Sequence, residues 1–87
     1  MHYINKYKAL KYGRASTFTP AQWVEMLAAA PTCVYCSRVF GADLKPTMDH
    51  VLPLSKGGAH TRENIVVACL SCNSAKNNRL PEEWAVY

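Results

Sequence analysis

No stretch of the 87 residues approaches the roughly 20 consecutive apolar positions that a membrane-crossing helix needs. The opening run MHYINKYKAL also lacks the apolar core of a signal peptide, so a soluble, cytoplasmic protein is expected. Acids are scarce: six Asp and Glu stand against ten Lys and Arg, a formal charge of +4 with a pI near 9.0. That imbalance favours a polyanionic partner. Repeats and low-complexity segments are absent, and the length leaves room for one domain. What is present is a 49% hydrophobic chain with five Pro and four Gly, which reads as globular and rich in turns. A chain this short buries only about 60–70% of its unfolded surface, so a metal or disulfide staple is expected.

Basic charge is concentrated in residues 1–14, which carry Lys6, Lys8, Lys11 and Arg14, the tyrosines Tyr3, Tyr7 and Tyr12, and no acid. Such an arm suits phosphate contact and stacking on bases; the plainer alternative is a frayed, solvated terminus. The remaining residues, 15–87, form the single domain. In FTPAQWVEMLAAAP, Thr19 is placed as an N-cap, Pro20 as the first helical residue and Gln22 as the partner of a capping box. Trp23, Leu27 and Ala30 recur at helical spacing and predict one buried face, ended by Pro31. TMDHVL reads as a strand closed by Pro53, residues 54–64 as a polar loop containing Gly57 and Gly58, and IVVA as a second strand, so an antiparallel hairpin is expected. LSCNSAKNNRL then predicts a helix of two to three turns stopped by Pro81, with one turn more in EEWAV.

The four cysteines form two pairs, Cys33/Cys36 and Cys69/Cys72, each with a two-residue spacer, and the pairs flank the predicted hairpin. Two such pairs complete a closed tetrahedral zinc shell, which would tie the start of the hairpin to its end and supply the missing staple. An iron–sulfur cluster favours tighter clustering of the cysteines, a thioredoxin-like pair needs a βαβ context, and disulfides need an oxidising compartment. Structural zinc is favoured over these three.

Around and between the pairs stand Asp49, His50, Asn64, Asn73 and Lys76. Neutral imidazole is the best general base near pH 7, and a carboxylate with an amide oxygen suits magnesium or manganese. Phosphodiester hydrolysis needs both parts, a base for the water and a cation for the scissile phosphate. Taken singly, each residue has an ordinary explanation as a satisfied histidine, a turn cap or a solvated helix position. Their order and spacing together argue for a site.

CVYC, MDHVLPLSKGG, ENIVVACLSCN and AK follow in an order that resembles the HNH endonucleases of the ββα-metal class, in the four-cysteine zinc type of bacteria and phages. The resemblance spans roughly residues 13–80 and includes GRASTFTPAQWVEML upstream. It implies an α+β fold: a small zinc-stapled ββα-metal domain with the N-terminal helix packed on it. It also implies a metal-dependent DNA endonuclease that nicks DNA with weak sequence preference. By position, His50 matches the general base, Asp49 the metal-binding acid, Asn64 the middle residue that fixes the loop and holds the base, and Asn73 the second ligand of a magnesium or manganese ion. The motif thus reads H-N-N rather than H-N-H.

Lys76, Arg62 and the basic arm are expected to contact DNA phosphates. Asn73, Lys76 and Asn77 share a helix face, whereas Asp49 and His50 are consecutive on a strand and should face apart. His60 reads as an exposed loop histidine, with assistance at the site as the alternative. Two other functions stay open: a non-catalytic zinc module that binds nucleic acid, and a nuclease directed at RNA. A homodimer, or phage or host partner proteins, would also be compatible with the family.

Overall fold

The computed structural model describes residues 16–80 and Glu83; the basic arm, with Lys6, Lys8, Lys11 and Arg14, lies outside the described residues, as does most of EEWAV. Helix α1 spans Pro20–Ala29 and begins as its sequence dictates. Thr19 Oγ accepts from Gln22 N at 3.2 Å, Gln22 Oε1 accepts from Thr19 N at 2.9 Å, and Pro20 takes the first turn, where its missing N–H costs nothing. Ala30 departs from helical geometry because Pro31 follows it. The predicted buried face is only partly realised. Trp23, Leu27 and Ala30 are half-buried, Met26 joins them, and no residue of α1 is fully buried. The helix lies against the hairpin as an outer layer.

Strand β1, Pro46–His50, pairs antiparallel with β2, Ile65–Cys69, in a register running from Pro46 opposite Cys69 to His50 opposite Ile65. The strand therefore starts one residue earlier than expected and stops two before Leu52. Its ladder ends because Asn64 takes over: Val51 N donates to the Asn64 carbonyl at 2.9 Å and Leu52 N to Asn64 Oδ1 at 2.8 Å.

The segment expected as an irregular polar loop is instead ordered by two short 3-10 turns, Leu54–Lys56 and Arg62–Asn64. Asn64, fully buried, also donates through Nδ2 to the carbonyls of Leu52 (3.0 Å) and Ala59 (2.8 Å). Two glycines permit this closure. Gly57 sits at φ 88°, in the left-handed region, and a Cβ on Gly58 would lie 1.9 Å from the Leu52 carbonyl oxygen.

Helix α2, Leu70–Lys76, follows β2 without a break, and Cys69 caps it by accepting from Cys72 N through Sγ at 3.4 Å. It ends four residues before Leu80, short of the expected length, because Asn77 turns to φ 53°. Arg79 then covers the last carbonyls, those of Ala75 and Lys76. Among the described residues the apolar core is divided in two. Cys33, Ala68, Cys69 and Cys72 pack with Tyr35, Phe40 and Leu44 at one end of the hairpin, and Leu52 packs with Leu80 and Val51 at the other. Neither cluster is large, which matches the need for a staple.

Candidate active site and metal centre

At the first end of the hairpin, the turn after Cys33 is closed by Ser37 N donating to the Cys33 carbonyl and Cys33 N donating to the Arg38 carbonyl, both at 2.9 Å. This brings Cys33 and Cys36 against Cys69 and Cys72, and the four sulfurs lie within 4.8 Å of one another. Tetrahedral zinc with bonds of about 2.3 Å requires sulfurs about 3.8 Å apart. Cys36 and Cys69 stand at 3.9 Å, so the donor set fits zinc. Tyr35 N and Cys72 N already donate to Sγ of Cys33 and Cys69.

At the other end, Asp49 is buried, with Oδ2 accepting from the Tyr35 hydroxyl at 2.5 Å and Oδ1 facing Lys76 Nζ at 3.5 Å. Asn73, on α2, donates through Nδ2 to Thr47 Oγ1 and the Met48 carbonyl, both at 3.0 Å. Its Oδ1 has no protein partner among the described residues. Thr47 and Asp49 therefore face α2, whereas His50 faces away toward His60, as strand alternation requires. The expected conflict is resolved at the strand's end: Asp49, His50 and Asn73 all border one open cavity of about 320 Å³, together with Asn77 and Asn78. A larger cavity of about 400 Å³, between α1 and β2, is mainly apolar and holds none of these groups. The smaller one gathers the polar side chains.

The profile of the HNH endonuclease family matches residues 33–79, from the first cysteine to just past α2. The chain belongs to the HNH endonuclease family. Over 54 residues, 61% of the chain, it is also 37% identical to the CRISPR-associated endonuclease Cas9 of Corynebacterium diphtheriae, and it covers only 5% of that protein's length. The family match includes the hairpin and the four cysteines.

Within this HNH domain the two ends of the hairpin differ in electrostatics. Arg38, which the sequence reading passed over, donates through Nε to Cys36 Sγ at 3.2 Å and through Nη2 to Cys69 Sγ at 3.3 Å, linking one sulfur from each pair. Its guanidinium lowers the Cys36 thiol to about 6, while burial pushes Cys72 up to about 12. An arginine two residues past a C-x2-C pair was the available signal.

At the HNH motif, burial is the main cause that lowers the basicity of His50; neighbouring His60 and Lys76 add to it and Asp49 opposes it. Lys76 is fully buried and donates to the His50 carbonyl at 2.9 Å; burial lowers its pKa against the opposing pull of Asp49. It is not the exposed phosphate grip expected from sequence, since its ammonium is spent inside the domain. Arg62 is exposed and borders the apolar cavity rather than the one holding Asp49. His60 corrects the sequence reading too. It is half-buried, with Nδ1 3.0 Å from His50 Nε2. Among the described residues no helix is long and apolar enough to cross a membrane.

Proposed function

We propose that this domain is a metal-dependent DNA endonuclease that nicks one strand at a time with weak sequence preference. The meeting of Asp49, His50 and Asn73 at one cavity carries this reading, since a carboxylate, an amide oxygen and an imidazole are the parts that phosphodiester hydrolysis needs side by side. Asp49 and Asn73 supply hard oxygen donors that suit magnesium or manganese, ions that keep several waters beside one or two protein ligands. The orientation of Asn73 supports this assignment: its Nδ2 is committed to Thr47 and Met48, which leaves Oδ1 to bind. When bound, the ion neutralises the scissile phosphate and the leaving 3′ oxygen.

His50 takes a proton from the attacking water, and its lowered basicity keeps it neutral and competent near pH 7. Asn64 fixes the loop that follows the base by holding Leu52 and Ala59. Arg62 and the basic residues Lys6, Lys8, Lys11 and Arg14 are assigned to the DNA backbone, and Lys76 to supporting Asp49 and the His50 carbonyl. Affinity resting mainly on phosphates should fall with salt. The structural ion is zinc, held by Cys33, Cys36, Cys69 and Cys72, and a cytoplasmic setting would keep those thiols reduced.

The Lys76–Asp49 ion pair favours a second reading, a zinc module that binds nucleic acid without cutting it, because the carboxylate already has a cation beside it. Incubating the protein with supercoiled plasmid and a series of divalent ions separates the two. Nicking that His50→Ala abolishes is the expected result. No nicking with any ion, or full nicking by His50→Ala, would overturn the nuclease reading. Parallel single-stranded, duplex and structured RNA substrates test whether DNA is the substrate.

A further inference from the structure

His50 offers two ring nitrogens, and a general base must present one of them without its proton. Nε2 is engaged by His60 Nδ1 at 3.0 Å, so the arrangement of that single contact decides what Nδ1 of His50 can do. If His50 donates, its Nδ1 keeps a lone pair and can take a proton. If His60 donates instead, Nδ1 of His50 carries the hydrogen and the ring has no free basic nitrogen.

We propose that His60 is the positioning residue of the catalytic base: it accepts a hydrogen bond from His50 Nε2–H and thereby leaves Nδ1 as the atom that deprotonates water. This rests on the nuclease reading given above. The step balances simply: a water O–H bond breaks as an Nδ1–H bond forms, the water oxygen bonds to phosphorus, and the P–O3′ bond breaks with its electron pair leaving on the 3′ oxygen, which takes a proton from solvent. As His50 becomes imidazolium, its Nε2–H bond to His60 becomes charge-assisted and stronger, so His60 stabilises the transition state more than the ground state.

The structure holds His60 in place for this task. Its carbonyl accepts from Phe18 N at 3.1 Å, it forms a β-bridge with Ser16, and the Phe18 ring meets the imidazole edge-on at 5.4 Å and 86°. Phe18 is itself packed against Trp23 at 6.5 Å. The segment leading into α1 thus fixes the ring that fixes the base. This gives the outer helix a role that its shallow burial does not explain.

The test compares wild type, His60→Leu, which keeps apolar packing against Phe18, and His60→Asn, which returns a hydrogen-bonding group near the position of Nδ1. Long-range proton–nitrogen NMR on the zinc-loaded, isotope-labelled full chain reads the His50 tautomer without turnover. The expected result is Nε2–H in wild type and His60→Asn and a mixture in His60→Leu. In plasmid nicking with manganese, His60→Leu should lose on the order of 10- to 100-fold, the value of one charge-assisted hydrogen bond, and His60→Asn should recover most of it. A wild-type His50 protonated at Nδ1, or a tautomer unchanged in His60→Leu, would overturn the inference. A wild type that nicks no plasmid counts against the nuclease reading alone, because the tautomer comparison needs no activity.

Discussion

The Tyr35 hydroxyl donates to Asp49 Oδ2 at 2.5 Å, and Tyr35 lies inside the turn between Cys33 and Cys36. The turn proposed to help bind zinc therefore also aims the carboxylate proposed to bind the catalytic ion. Replacing the hydroxyl tests this coupling. Tyr35→Phe should keep its zinc and fold, lose about 1–2 kcal/mol of stability, and weaken manganese binding measured by calorimetry. Unchanged manganese affinity would show that the hydroxyl does not position the acid.

Loss of one sulfur should cost the whole domain. Cys69 lies in the core, caps α2 and faces Cys36, so Cys69→Ser removes a ligand, a cap contact and a packed side chain together. The variant, or wild type treated with a strong chelator, should give an unfolded circular dichroism spectrum and about one zinc less per chain. A folded, zinc-free domain with an unchanged melting curve would refute the staple.

Gly58 tests how tightly the loop closes. A methyl there would collide with the Leu52 carbonyl oxygen and press on Asn64 Nδ2. Gly58→Ala should destabilise the domain by about 2–4 kcal/mol, read as a lower midpoint in urea, whereas Gly41→Ala, which has open space around it, should be near neutral.

Asn64→Ala should be comparably severe. It strands Leu52 N and the carbonyls of Leu52 and Ala59 in a buried site. At about 1–3 kcal/mol for each unsatisfied buried group, partly relieved by water, a loss of about 3 kcal/mol is expected in chemical denaturation.

The His50 shift gives a pH dependence with a definite sign. Its folded pKa lies below the ordinary 6.5, so between those two values the unfolded chain binds more protons. The stability that His50 contributes is present above pH 6.5 and is lost as pH falls through its folded pKa. His50→Gln should flatten the acid limb of a plot of melting temperature against pH. An identical limb in the variant would assign the effect to another group.

Much of this architecture was legible from residue order. Thr19, Pro20 and Gln22 specify the start of α1 because capping is local, and the cysteine spacing specifies the candidate metal centre because two such pairs can converge on one ion. The HNH order of Asp49, His50, Asn64 and Asn73 pointed to the candidate site. Three features were hidden because each depends on tertiary contact. Asn77 adopts φ 53° and shortens α2 although NNR carries no strong stop signal. Lys76 turns inward because Asp49 and the His50 carbonyl wait there, which its helix-face position does not reveal. His60 meets His50 across ten residues of loop whose path is set by Asn64 and two glycines.

The hairpin has five residues in each strand and a separate small core at either end. A two-stranded ribbon of that length has little stability alone. It acts here as a beam fastened at both ends, by the cysteine cluster at Pro46 and Cys69 and by the Asn64 latch at His50 and Ile65. Loosening either fastening leaves the beam free to twist. Damage at the cysteine end should thus reach His50 as misalignment, and hydrogen exchange across β1 and β2 should rise together rather than strand by strand.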